Sequence, residues 1–320
     1  MTTAVTDDTI ALPVLRAAFE PTGSPRWFVY AMKKLELDRK HGFDLQITLV
    51  RDQITGAFQS FEVALKEGTV DLIDIDWIAI GRHRANGLPL TAFFPYGRIA
   101  GGLVVPSDSS ISGLQDLRGK RVGVVRLRDK NWIILRAACM KRYGFDPQQE
   151  ATVVEALSKG TLAEMLKGGQ VDAALQWWQL IPPLVATGAH RQVADVLDLI
   201  ADLGITGPVP ITLFTVSDEF AKRNADLLRG FIRAFCETAE YMQKNDEIWV
   251  EVGEQVMGGI DPRILTILRD SWRRRVMTDW DASTIRQIER LFGELLKVGG
   301  GALLGIDRLP PGTFAAEFVE

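Results

Sequence analysis

The chain has 320 residues, 47% of them apolar and 24% charged, which fits two globular domains or one large one and excludes a disordered, collagenous or coiled-coil chain. Lys and Arg number 37 against 41 Asp and Glu, a net charge of −4 that lacks the basic footprint of a general nucleic-acid binder. Two cysteines (Cys139, Cys236) and three scattered histidines (His41, His83, His190) have no metal-ligand spacing, so no metal and no cofactor is expected, and both thiols read as buried.

Residues 1–11 read as an N-terminal tail. Residues 1–8 have neither a basic segment nor a long apolar core, so no signal peptide is expected in this chain; on that reading the protein is cytoplasmic or a processed form. No run reaches the ~18 apolar residues of a membrane span, so no direct membrane insertion is expected.

From residue 12 an internal duplication organises the chain. Leu65-Lys66-Glu67-Gly68-Thr69-Val70-Asp71 precedes Trp77, and Leu166-Lys167-Gly168-Gly169-Gln170-Val171-Asp172 precedes Trp178, 101 residues later. Gly42-Phe43-Asp44 likewise corresponds to Gly144-Phe145-Asp146. Each copy reads as strand (14–19 or 121–125), polar loop, helix starting near Trp27 or Trp132, second strand (45–50 or 152–155), second helix ending at the Lys-x-Gly segment, and a third strand from Val70 or Val171. Strands alternating with helices predict parallel βαβ units, and a period near 100 is too long for a solenoid, so the copies read as two lobes.

Segments 101–106 and 208–214 read as crossings between the lobes. The predicted division is lobe I at 12–104, lobe II at 105–210, and a return to lobe I with C-terminal helices at 211–320. Leu227, Leu228, Phe231, Ile232 and Phe235 form one helical stripe; Ile285, Ile288, Leu291, Phe292, Leu295 and Leu296 form another, with Ser283 expected as its N-cap and Gly299 as its stop. Arg273-Arg274-Arg275 reads as a solvated helix face.

This order of motifs resembles the nitrate/sulfonate/bicarbonate-type substrate-binding proteins of ABC importers, over roughly residues 12–300. Residues 111–124, with Ser112-Gly113-Leu114 and Gly119-Lys120-Arg121-Val122-Gly123, are similar to that family's opening of its second lobe; Gly68-Thr69-Val70-Asp71 and Gly169-Gln170-Val171-Asp172 to its turns before strands; and Val216-Ser217-Asp218-Glu219-Phe220-Ala221 to its return segment. The resemblance implies an α/β, two-lobed periplasmic-binding-protein type II fold. A mixed, mostly parallel sheet would form each lobe, and the C-terminal helices would pack on the first. It also implies export to the periplasm, an ABC permease as partner, and a monomer.

Independently of any family, ligands of open α/β sheets bind outside the carboxyl ends of strands. That rule selects Thr22, Gly23, Ser24 and Trp27 in the first loop of lobe I, Thr55 in the second, and Asp76 and Trp77 in the third. In lobe II it selects Arg126, Arg128 and Trp132, then Trp177 and Trp178. Five of the eight tryptophans fall in these loops, which favours a partly aromatic cleft. Thr22, Gly23 and Ser24 either hold an anion on backbone N–H groups or form an ordinary helix cap. Arg126 and Arg128, with Lys130 beside them, either pair with a carboxylate or sulfonate or form a solvated charge run. Asp74 and Asp76 alternate on one strand end and cannot both face the same side, so one of them offers a contact to ligand or to a tryptophan, including a cation held between Asp and indole.

Three functions compete. The first is a solute-binding protein that captures a small organic, anionic ligand for import. The second is an enzyme on the same scaffold, of which the cytoplasmic relatives are a desulfinase, a thiamin-pyrimidine synthase and menaquinone-pathway dehydratases. The third is a cytoplasmic ligand sensor. The loop 20–27 has no cysteine and the chain has no cysteine cluster, which favours the first.

Overall fold

The computed structural model describes residues 11–50, 54–55 and 58–318. In chain order the strands are β1 Val14–Phe19, β2 Asp44–Leu49, β3 Ile54–Thr55, β4 Phe58–Gln59, β5 Leu72–Ile75, β6 Leu90–Arg98, β7 Gly102–Pro106, β8 Arg121–Val124, β9 Thr152–Glu155, β10 Ala173–Gln176, β11 His190–Asp195 and β12 Pro210–Ser217. Apart from the short β3–β4 hairpin, they form two sheets, β2-β1-β5-β12-β6 and β9-β8-β10-β7-β11.

The two sheets repeat one plan. In each, the first three strands pair in parallel, and the fourth runs antiparallel to both neighbours. Four of five strands therefore point one way, as a βαβ pattern demands. The odd strand is the one the chain delivers on crossing: β7 follows β6 into the second sheet, and β12 returns to the first. Because Leu103 and Val104 pair with β10 and β11, the second sheet begins before residue 104, where the sequence reading ended lobe I.

The duplicated motifs build duplicated joints. Asp71 and Asp172 each start the third strand by donating a backbone N–H to Arg16 or Arg121 (2.7 and 2.8 Å). Each also takes the same arginine's guanidinium on its carboxylate (2.5 Å in both). Gly68 and Gly169 hold φ of +70° and +67°, the left-handed conformation that ends the preceding helices, Ser60–Lys66 and Lys159–Lys167, and that favours glycine.

The helical stripes form as spaced. In helix Ala225–Lys244, Leu228, Phe231, Ile232 and Phe235 are buried, with Phe231 and Phe235 packed edge-on against Phe214 of β12. Helix Ala282–Leu304 starts two residues earlier than the Ser283 cap predicts: Asp281 accepts the Thr284 N–H at 2.8 Å, which places Ser283 inside the first turn. It also passes Gly299, kinks at Gly300 and ends at Gly305 (φ +77°). This helix reaches the second lobe as well, where Arg290 donates to the Gly204 carbonyl (3.2 Å). Among the described residues no helix is long and apolar enough to cross a membrane.

Candidate functional site

The strand ends of the two sheets meet along an interlobe seam. Its centre is aromatic. Trp27, in helix Pro25–Lys34 of the first lobe, meets Trp178 of the second edge-to-face, 5.5 Å between ring centroids, and each is only 6% exposed. From Trp27 the stack continues to Trp249 (5.9 Å) and on to Trp272 (5.3 Å), whose N–H donates to the Tyr96 hydroxyl (3.2 Å). Pairs of this geometry contribute about 0.5–1.5 kcal/mol each beyond their burial.

Two lysines of the second lobe cross to carboxylates of the first. The Lys130 ammonium, buried, bonds Asp76 and donates to the Ile211 carbonyl (2.7 Å), and it lies 4.8 Å over the Trp77 ring. Lys159 reaches Glu20 at 2.6 Å and lies 5.0 Å over the Trp177 ring. Each ammonium is thus held by one carboxylate and one indole face, the two groups that stabilise a partly desolvated cation. Asp76 has two tasks: Oδ1 accepts the Ile78 N–H and caps helix Trp77–Ala85, and Oδ2 takes Lys130.

Two more carboxyl groups lie at this seam. Asp74, at the end of β5, accepts from the Thr212 hydroxyl at 3.2 Å. Burial, reinforced by the nearby charge of Glu20, pushes it up to about 7. Asp129 caps helix Lys130–Tyr143 through the Asn131 N–H and accepts the Trp177 indole N–H (2.9 Å); burial raises its pKa too.

The expected site residues divide. Trp27, Asp76, Trp77, Trp177 and Trp178 lie at the seam. Trp132 does not: it is wholly buried in the second lobe and donates to Gln148 (2.9 Å), because its place in the first turn of helix Lys130–Tyr143 turns it toward the lobe core. The 22–24 loop spends its groups on itself. Thr22 is exposed with its hydroxyl on Glu20 (2.7 Å), and the Gly23 N–H goes to the Glu20 carbonyl (3.0 Å). Ser24 is buried and bonds Tyr96 rather than capping its helix by side chain. Arg128 is exposed and Arg126 half-buried; the lysines that cross to first-lobe carboxylates are Lys130 and Lys159. The backbone of Thr55 belongs to β3; its side chain lies outside the described residues.

Lys159, Glu20, Tyr96, Trp249 and Trp272 were missed as site residues. Lys159 and Glu20 carried a usable signal, since both flank strand ends in the duplicated plan. Trp249 and Trp272 come from the C-terminal helices, outside the repeat. No group of His, Cys, Asp and Glu among the described residues has metal-binding geometry. Burial pushes Cys139 to about 12 and Cys236 to about 11, far from a reactive thiolate.

A family model described as NMT1/THI5 like matches residues 44–247. No curated protein matches the sequence. Among solved structures, the fold is similar to the alkanesulfonate-binding protein SsuA from Xanthomonas axonopodis pv. citri bound to MOPS (TM-score 0.73, 18% identity, covering 96% of this chain and 99% of that one). It is also similar to the periplasmic aliphatic sulphonate binding protein SsuA from Escherichia coli (TM-score 0.69, 17% identity, 87% and 85%). A third similar structure is the desulfurization enzyme DSZB (TM-score 0.60, 17% identity, 96% and 97%). At these identities the likeness is one of fold.

Proposed function

The chain belongs to the NMT1/THI5-like family, and from that premise we propose that it is a solute-binding protein that closes two lobes on a small organic anion for ABC-type import. The observation that carries this reading is the seam itself. Indoles from both lobes meet there, and two second-lobe ammonium groups already bind oxyanions, the carboxylates of Glu20 and Asp76. A carboxylate or sulfonate ligand offers those lysines the same chemistry, and the indoles offer its apolar part a desolvated wall. Two lobes joined by two crossings suit closure about a hinge.

Native mass spectrometry of the purified protein tests for a retained small solute. Calorimetry with that solute then tests the seam: Trp178→Ala should weaken binding by more than about tenfold, as truncation of a buried aromatic anchor does. Binding equal to the parent's would move the site elsewhere.

A second reading, an enzyme on this scaffold, draws support from Asp74. A carboxyl group with pKa about 7 beside Glu20 and Lys159 has the poise of a general acid–base. The two thiols are unsuited to a nucleophile's role. Recovery of the retained solute chemically unchanged after prolonged incubation favours binding; its conversion, abolished by Asp74→Asn, favours catalysis.

A further inference from the structure

Beside Trp178 and Trp272 the seam holds a small, partly open cavity of about 10 Å³, room for about one water molecule, lined chiefly by Tyr96, Arg98, Trp178, Ile211, Trp272 and Arg275. Arg275 ends helix Pro262–Arg275, which is pinned against β6: Gly97 bridges Val276, and a β-carbon at Gly97 would stand 3.1 Å from the Arg275 carbonyl. The Arg275 guanidinium is largely buried. Its Nε donates to Ser271 (3.1 Å), and Nη2 reaches across the seam to Asp195 of the second lobe (3.2 Å). Nη1 is buried and has no acceptor among the described residues. A buried charged donor left without an acceptor bears the full cost of desolvation, so the fold retains a binding capacity that it does not itself use.

Charge points the same way. Elsewhere along the seam each lysine faces a first-lobe carboxylate. Here two guanidinium groups line one cavity; Asp195 pairs with Arg275, and the exposed Arg98 side chain has no hydrogen bond or ion pair among the described residues.

Resting on the solute-binding reading, we propose that this cavity is the collapsed seat of the ligand's oxyanion, a carboxylate or sulfonate, which accepts from Arg275 Nη1 and pairs with Arg98 while the attached apolar group lies against Trp178 and Trp272. Trp178 and Asp195 belong to the second lobe and the remaining walls to the first, so parting the lobes enlarges the seat and closure clamps the ligand between guanidinium forks and indole faces.

The test titrates the full chain with benzenesulfonate, benzoate and benzylamine, read by tryptophan fluorescence and calorimetry. Both anions should bind more tightly than the amine, and the stronger anion identifies the headgroup. Arg275→Gln should weaken both anions by at least about tenfold and leave the amine unchanged. Asp195→Asn keeps the guanidinium while removing its interlobe ion pair, and should bind the anions at least as well as the parent. Arg98→Gln, at an exposed position where folding is not at stake, should weaken the anions severalfold. The proposal is overturned if Arg275→Gln binds the anions like the parent, if Asp195→Asn loses as much as Arg275→Gln, or if the amine binds as well as the anions. Should Arg275→Gln fail to fold by its melting curve, an unchanged anion affinity in Arg98→Gln overturns it instead. If the parent takes up none of the three probes yet retains a solute in native mass spectrometry, this assignment falls and the solute-binding reading stands; if it does neither, both fall.

Discussion

Asp74 ties one residue's protonation to the stability of the fold. In the unfolded chain its carboxyl titrates near the ordinary value of 3.8, whereas burial at the end of β5 carries it to about 7 in the folded protein. Below the unfolded value both states hold the proton and the group costs nothing. Between the two values the unfolded chain ionises first, so the contribution of Asp74 to stability falls as pH rises, and it is lost once pH passes about 7. Asp74→Asn has no proton to lose, and its amide oxygen still accepts from Thr212. The variant should melt close to the parent at pH 4 and above it at pH 8, by an increment on the order of 1–3 kcal/mol. The same increment at both pH values would sink this account.

At the scale of elements, Asp129 joins a helix to the seam. Its Oδ1 caps helix Lys130–Tyr143 and its Oδ2 holds the Trp177 indole, so Asp129→Ala should remove a cap worth about 1 kcal/mol and orphan a half-buried N–H as well. A total loss of roughly 2 kcal/mol in denaturant unfolding is expected, and Asp129→Asn should recover the cap. What the sequence made legible has a common cause: local signals written twice. Asp71 and Asp172, Gly68 and Gly169, and the strands beside them each repeat at one offset, and duplicated turns imply duplicated sheets. The strand-end rule then placed Trp27, Asp76, Trp77, Trp177 and Trp178 at the seam. Trp132 escaped it because a loop address does not fix which way a helix's first turn faces. Trp272 and Arg275 escaped for a different reason. They reach the seam from a C-terminal helix with no counterpart in the repeat, so only the tertiary path of the chain brings them there. The Arg273–Arg275 run, expected as a solvated face, is split by the helix itself: Arg274 is exposed, Arg273 binds the Met242 and Asn245 carbonyls, and Arg275 turns to Asp195.

For the molecule as a whole, the ion pairs that join the lobes along the seam are made by groups that water would also satisfy. Lys130–Asp76, Lys159–Glu20 and Arg275–Asp195 all cross the seam around the aromatic Trp27–Trp178 contact, while away from it helix Ala282–Leu304 packs on helix Lys130–Tyr143 and one apolar cluster holds residues of both lobes. A buried ammonium deprived of its carboxylate is penalised by desolvation, whereas the same ammonium on a separated lobe regains its hydration. Removing the two first-lobe charges therefore penalises the closed arrangement and leaves each lobe intact. Glu20→Gln with Asp76→Asn does this cleanly, since asparagine at 76 still caps helix Trp77–Ala85 by accepting the Ile78 N–H. Small-angle scattering on the double variant should give a radius of gyration above that of the parent, for which a compact chain of this length implies about 20 Å. Circular dichroism should be unchanged, and a saturating ligand should return the radius toward the parent's. Loss of helical signal would mean that the charges hold up the lobes themselves. An unchanged radius would mean that the apolar packing between the lobes keeps them shut, and the ion pairs would then be passengers of closure, not its cause.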